Sequence, residues 1–188
     1  RVLINRKLGV KAADAAQIEL DELTCLLESG SDRIGALDFQ QSPTEYLPRR
    51  AQQPTLEELL SATEKVERGV PLSSELDQAL LHGTSLGGAR PKVLLDDEER
   101  KFIAKFSASN DLYSVVKAEF IAMRLARKAG LNAASVHLRS ALGKDVLLIE
   151  RFDRVRREQH WLRRAMVSAL TLFELDEMMA PYASYETL

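Results

Sequence analysis

Apolar residues recur at helical spacing from Ala12 to Glu28, at Ile18, Leu23, Leu26 and Leu27, until Gly30-Ser31-Asp32 interrupts. Arg33-Ile34-Gly35-Ala36-Leu37-Asp38-Phe39 then alternates as a strand, ended by Ser42-Pro43. The polar stretch 46–54, with two prolines, reads as a connection between subdomains. Thr55-Leu56-Glu57-Glu58 is a capping box, starting a helix that runs to about Arg68 and stops at Gly69-Val70-Pro71. Ser73 or Ser74 opens a short helix through Leu81, ending at Gly83. Strands are predicted over 92–95 and 101–106, joined by an acidic turn over 96–99. In the second strand Phe102, Ala104 and Phe106 share one face, and Ile103 and Lys105 the other.

Asn110-Asp111 can cap a long helix from about Leu112 to Ala129, with Gly130 at C′ and Val116, Phe120, Met123 and Leu125 as its apolar stripe. Val136-His137-Leu138 reads as a short strand. Gly143-Lys144-Asp145 turns the chain into Val146–Ile149, an apolar run suited to a buried strand. Residues 151–164 hold six arginines and two aromatics, read as a solvated hairpin; contact with an acidic substrate or nucleic acid is the alternative. A helix is predicted over 165–180, bearing Met166, Leu170, Leu172, Phe173 and Met178, with the Met166, Met178 and Met179 side chains read as helix core. There is no internal repeat or low-complexity tract.

Composition narrows the class. A 188-residue chain with 45% hydrophobic residues holds one ordinary core and part of a second domain. No apolar run approaches the ~20 residues of a membrane span, and the start, Arg1 to Lys7, is too polar for a secretory signal. One cysteine, Cys25, forms no internal disulfide, which points to a reducing cytoplasm. A net charge of −2 argues against a chain built mainly to clamp nucleic acid. His82, His137 and His160 lack ligand spacing, so no zinc site is expected. Beginning at Arg1 and ending in an uncapped helical stretch, the sequence reads as part of something longer.

The chemistry concentrates in His82-Gly83-Thr84-Ser85-Leu86-Gly87-Gly88-Ala89-Arg90-Pro91-Lys92. Three glycines within six residues let the backbone bend and present N–H groups to an anion, with Lys92 and Lys105 as cations behind it. The spacing fits neither the Walker A loop nor the dinucleotide fingerprint, and a strand follows instead of a helix. Loop, strand, lysine-bearing strand, helix and buried strand come in the order of a kinase N-lobe. Phosphoryl transfer is catalysed mainly by positioning and charge neutralisation. In that order Lys105 meets the α/β phosphates, Glu119, about two turns into the helix, orients it, and the strand after Val146 ends at a hinge facing adenine.

The runs Ser85–Lys92, Phe102-Ile103-Ala104-Lys105-Phe106 and Glu150-Arg151-Phe152-Asp153-Arg154, with Ser168–Leu172 and Tyr182–Glu186, resemble the HipA family of bacterial toxin serine/threonine kinases. The resemblance covers roughly residues 30–188. It implies that the backbone of Gly87, Gly88, Ala89, Arg90, Pro91 and Lys92 binds ATP phosphates, joined by Lys105. It also implies that Glu150, Arg151 and Phe152 form the hinge, with carbonyl and amide from Glu150 and Phe152. Ser85 sits where relatives are autophosphorylated, which would repel ATP from the same cradle.

The fold implied is α+β: an antiparallel N-lobe sheet with a long helix on one face. It divides into the end of an N-terminal subdomain (1–50), an N-lobe (51–154) and the start of a helical C-lobe (155–188). ATP and Mg²⁺ are the implied cofactors. The implied partners are a protein substrate, a HipB-like antitoxin and, through it, operator DNA, with no membrane. The family's best-known target is a glutamyl-tRNA synthetase, and no residue here selects one. The catalytic Asp…Asn pair and the Mg²⁺-holding Asp of a kinase lie beyond Tyr185 in relatives, so this stretch is expected to hold nucleotide without transferring phosphate. A non-catalytic module docking the antitoxin, or a small-molecule kinase, are the competing readings.

Overall fold

The structure is a computed structural model, in which residues 21–49, 55–67, 70–73, 76, 92–97, 99–107 and 111–186 are described. Helices α1 (Glu22–Glu28) and α2 (Leu56–Glu67) precede strands β1 (Lys92–Asp96) and β2 (Lys101–Phe106). Helix α3 (Val115–Lys128) leads to β3 (Val136–Ala141) and β4 (Lys144–Glu150). A hairpin of β5 (Arg154–Arg157) and β6 (His160–Arg163) follows, then α4 (Ala169–Leu172) and a 3-10 turn at Glu177–Tyr182. Strands β1 to β4 form one antiparallel sheet in the order β1-β2-β4-β3.

Each face of this sheet is covered by one helix, because β4 is apolar on both sides. Val146 and Leu148 join Phe102, Ala104, Phe106 and Val93 on one face, where α2 inserts Leu59, Leu60 and Ala62. Leu147 faces the other way, with Val136 and Val116, and Phe120 and Met123 of α3 pack around them. The alternation expected for β2 is present: Phe102, Ala104 and Phe106 are buried, and Lys101, Ile103 and Lys105 are half-buried opposite. A fully buried apolar side chain contributes about 1.5–3 kcal/mol, so this two-sided core outweighs any single polar contact at its edges.

The capping box is formed as predicted: the Glu58 N–H donates to the Thr55 Oγ1 at 3.2 Å, and the Thr55 N–H donates to the Glu58 Oε2 at 2.8 Å. Other expectations are corrected. Asp21 is extended and caps α1, so no single helix runs through 12–28; residues 1–20 lie outside those described. Segment 33–39 forms no strand. Gly35 turns the backbone at φ +78°, and arginine side chains take the carbonyls of Arg33, Gly35 and Phe39 that a neighbouring strand would have used. Ser114 caps α3 in place of Asn110 or Asp111, and Leu125 is exposed rather than in the apolar stripe. The strand at Val136 runs on to Ala141.

The helix predicted over 165–180 is broken in two. Ser168 caps α4, Glu174 adopts φ +55°, and Asp176 caps the separate 3-10 turn, which contains Pro181. Met166, Met178 and Met179 are exposed there, so they are not core among the described residues. Of the second short helix, Leu76 is helical and its N–H donates to the Ser73 Oγ at 3.4 Å, as expected for a start at Ser73; residues 74, 75 and 77–91, with the glycine loop, Ser85 and Gly87 to Pro91, lie outside the described residues.

β3 and β4 are joined by the two-residue turn Leu142-Gly143, with φ of +47° and +74°. Positive φ at both positions is the geometry that favours Asn-Gly, and Leu142 occupies it while 60% exposed. Leu142→Asn should therefore raise unfolding free energy by about 0.5–1 kcal/mol. Chemical denaturation checks this, and a lower midpoint would rule out the strained turn.

Candidate functional site

β1 and β2 pair so that Lys92 lies opposite Lys105, Leu94 opposite Ile103 and Asp96 opposite Lys101. β4 extends the same face, with Leu147 opposite Lys105 and Ile149 opposite Ile103. Cross-strand partners point to one side, so this face reads as three zones. A lysine pair stands at one end, half-buried Leu94, Ile103 and Ile149 form the middle, and a dense ionic cluster closes the other end.

At the first end the Lys105 Nζ lies 2.6 Å from the Glu119 Oε1. The structure thus brings together the two side chains that the sequence singled out from separate elements. Glu119 reaches β2 because Ser114 starts α3 so that Val116, Glu119, Phe120 and Met123 fall on one side of it. The Lys92 ammonium titrates below its ordinary value: burial disfavours its charge, Lys105 repels it, and Glu119 offsets only part of this. Lys92 and Lys105 thus lie close enough to Glu119 and to each other for their charges to interact where the chain enters β1. An anion placed there would relieve the repulsion.

At the other end β4 leads into the turn 151–154. The Arg151 N–H extends the ladder by donating to the Lys101 carbonyl at 2.8 Å. The Glu150 N–H is taken by the Ser135 carbonyl at 2.9 Å. The Phe152 side chain is exposed, while that of Arg151 is wholly buried in the ionic cluster. Asp153 accepts from the Arg151 Nε and Nη2 at 2.9 and 2.8 Å, and from the Arg154 Nη1 at 2.7 Å. Asp32, about 120 residues earlier, lies 3.1 Å from the Arg151 Nη1 and accepts from the Arg154 Nη2 at 2.6 Å. Lys101 joins by pairing with Asp96 and lying 3.6 Å from Asp32.

The arginine-rich segment is the hairpin that the sequence predicted, but only partly solvated. Arg151 and Arg154 are buried, and the exposed arginines are Arg156, Arg157 and Arg164. Asp32, Asp96, Lys101 and Asp153 were missed by sequence reasoning. The close spacing Arg151-x-Asp153-Arg154 was the available signal that these charges compensate one another. Among the described residues no group of three or more His, Cys, Asp or Glu could hold a metal ion. No helix among them is long and apolar enough to cross a membrane.

Residues 84–188, more than half of the chain, match the family described as the HipA-like C-terminal domain. No curated protein matches the chain. Among solved structures, HipA of the Shewanella oneidensis MR-1 toxin–antitoxin system, in complex with HipB and its operator DNA, is similar at a TM-score of 0.58 and 24% identity. The alignment covers 94% of this chain and 41% of that one, so the chain spans less than half the length of that protein.

Burial pushes the Asp153 carboxyl up, but hydrogen bonds from Arg151 and the Gly35 N–H, with both arginine charges, outweigh it and hold the carboxyl below its ordinary range. Asp32 is lowered in the same way, with Arg151, Lys101 and Arg154 overcoming burial. A depressed folded-state value means stabilisation that is present above the unfolded value and lost as pH falls through the folded one. Asp153→Asn should cost about 3–5 kcal/mol at pH 7, because it strands buried cations. The gap to wild type should shrink below pH ~4. Urea unfolding at pH 7 and pH 3 measures it, and a gap independent of pH would refute the assignment.

Proposed function

This chain belongs to the HipA family, and from that premise we propose that it is the ATP-gripping portion of a toxin serine/threonine protein kinase. The observation that carries this reading is the Lys105–Glu119 ion pair, with Lys92 beside it, at one end of a sheet face whose middle is apolar. The order β1-β2-β4-β3, with α3 lying between β2 and β3 in sequence and packed on the lysine-bearing face, supports a kinase-like N-lobe.

The residues fit the group they would hold. Glu119 fixes the long Lys105 side chain so that its remaining N–H donors aim at phosphate oxygens rather than at water. Lys92, whose charge burial and Lys105 disfavour, would add a second cation facing the phosphates. Leu94, Ile103 and Ile149 offer a flat apolar surface of the kind that takes one side of a purine, and Glu150–Phe152 run along its edge as the hinge. ATP, when bound, supplies the γ-phosphoryl group. Mg²⁺ is expected to be held by residues outside this chain. Gly87 to Pro91 would wrap the phosphates, with Ser85 as the position whose phosphorylation repels them. A HipB-like antitoxin, and operator DNA through it, are the proposed partners, by analogy with the Shewanella complex, and the proposed setting is the cytoplasm. The protein substrate would be met by parts of the molecule beyond this stretch.

Two measurements test the reading. In the full-length protein, Lys105→Met should weaken ATP binding roughly ten- to hundredfold by calorimetry, since a hydrogen bond to a charged group is worth ~1.5–3 kcal/mol. Labelled ATP added with a cell lysate should mark protein bands, and labelling only of small molecules would replace the protein-kinase reading. Separately, Ser85→Asp should abolish ATP binding while Ser85→Ala preserves it. Equal affinity for the two would remove Ser85 as a switch.

A further inference from the structure

The ionic cluster does more than neutralise itself, because Arg151, Asp153 and Arg154 also grip backbone. The Arg151 Nη2 donates to the Arg33 carbonyl at 3.0 Å, and the Arg154 Nη1 donates to the Gly35 carbonyl at 2.9 Å. The Arg154 Nη2 reaches the Arg33 carbonyl as well. In return the Gly35 N–H donates to the Asp153 Oδ2 at 2.9 Å. The turn 151–154 and the loop 32–35 are therefore locked together by side chain to backbone bonds in both directions.

The loop itself is closed as a unit. The Ser31 N–H donates to the Arg49 carbonyl at 3.0 Å, and the Arg49 N–H returns to the Ser31 Oγ at 2.9 Å. The Arg49 side chain then ties the carbonyls of Ser29 and Phe39 and the Asp38 carboxylate. Segment 29–49 is thus a closed loop with its own framework, resting on the hinge through Asp32, Arg33 and Gly35.

Only Asp32 belongs to the loop and compensates charge in the hinge. It faces Arg151, Arg154 and Lys101, which lie on the turn and on the first residue of β2. Removing its charge leaves three cations against Asp96 and Asp153.

We propose that Asp32 is a positioning residue: it fixes the hinge backbone at 150–154 and so couples segment 29–49 to the nucleotide affinity of the face beside that hinge. The proposal rests on the nucleotide reading above for its ligand, though not for the strut itself. Coupling of this kind is reciprocal. A ligand seated against the hinge should tighten the loop, and a partner that lifts the loop should loosen the ligand.

The test uses the full-length protein with Asp32→Asn, the conservative Asp32→Glu, and Lys144→Gln as a control that breaks the Lys144–Glu64 pair at the far end of β4. Amide exchange at residues 150–154 without nucleotide should rise in Asp32→Asn and not in Lys144→Gln. ATP affinity by calorimetry should fall roughly tenfold in Asp32→Asn, with kcat at saturating ATP within about twofold of wild type and partial recovery in Asp32→Glu. In the wild type, ATP should slow exchange at the Ser31 and Gly35 amides, an effect that a purely structural role would not produce. If Asp32→Asn does not fold, Arg154→Lys, which keeps the charge and loses the fork, carries the same readouts. Unchanged hinge exchange, or raised exchange with wild-type ATP affinity, overturns the proposal. A wild-type protein that binds no ATP defeats the nucleotide reading alone, and hinge exchange then decides whether the strut stands.

Discussion

Burial of β4 on both faces is the constraint from which the rest of the arrangement follows. Val146 and Leu148 demand cover on one side, and Leu147 demands it on the other. A strand in that position cannot lie at a sheet edge or face water on either side. It therefore sits between β2 and β3, with α2 beneath and α3 above. Lys105 then has little choice of place. As the cross-strand partner of Leu147 it must emerge on the α3 face, within reach of whatever acid α3 presents. The Lys105–Glu119 pair is a consequence of the apolar core rather than a contributor to it. A half-exposed ion pair is worth little in stability, typically under ~1 kcal/mol.

The turn after β4 solves a different problem. The sheet ends where the chain has just left a buried strand, and the next four residues carry two arginines and an aspartate. Burying Arg151 and Arg154 without partners would cost several kcal/mol each. Asp153 compensates part of that locally, and Asp32 arrives from the far end of the sequence to complete it. Replacing the whole set by apolar residues could serve stability equally well. What apolar residues could not do is bind the carbonyls of Arg33 and Gly35 in fixed register, and that directional demand explains why charge is kept here.

This division also marks how far the sequence could be read. Strands β1, β2 and β4, the capping box and the long helix rest on local pattern: alternation, apolar runs, and spacing within one helix; the Lys105–Glu119 juxtaposition comes instead from the kinase-like order of the elements. Such local signals are carried by neighbouring residues and survive without knowledge of the fold. Segment 33–39 alternates as well as any strand, yet its partners are arginines over 100 residues away, and nothing local distinguishes a ladder from a side-chain cage. The helix over 165–180 failed for a related reason. Its apolar residues suggested one face, while Ser168 and Asp176 each offered a cap that splits it. Arg151 and Arg154 looked solvated because arginine usually is; the neighbouring Asp153 and the long-range acid Asp32 together reverse that expectation.

The two ends of the α3-facing sheet surface arrange their charges differently. At the hinge end Lys101, Arg151 and Arg154 meet Asp32, Asp96 and Asp153, so each cation has a counter-charge in contact. At the other end Lys92 and Lys105 share Glu119. On the proposed nucleotide reading, a polyphosphate would meet the two lysines at that end rather than the matched charges of the hinge cluster. On that reading, an apolar ring over Leu94 and Ile103 would have its charged tail toward Lys92 and Lys105 and its polar edge toward residues 150–152.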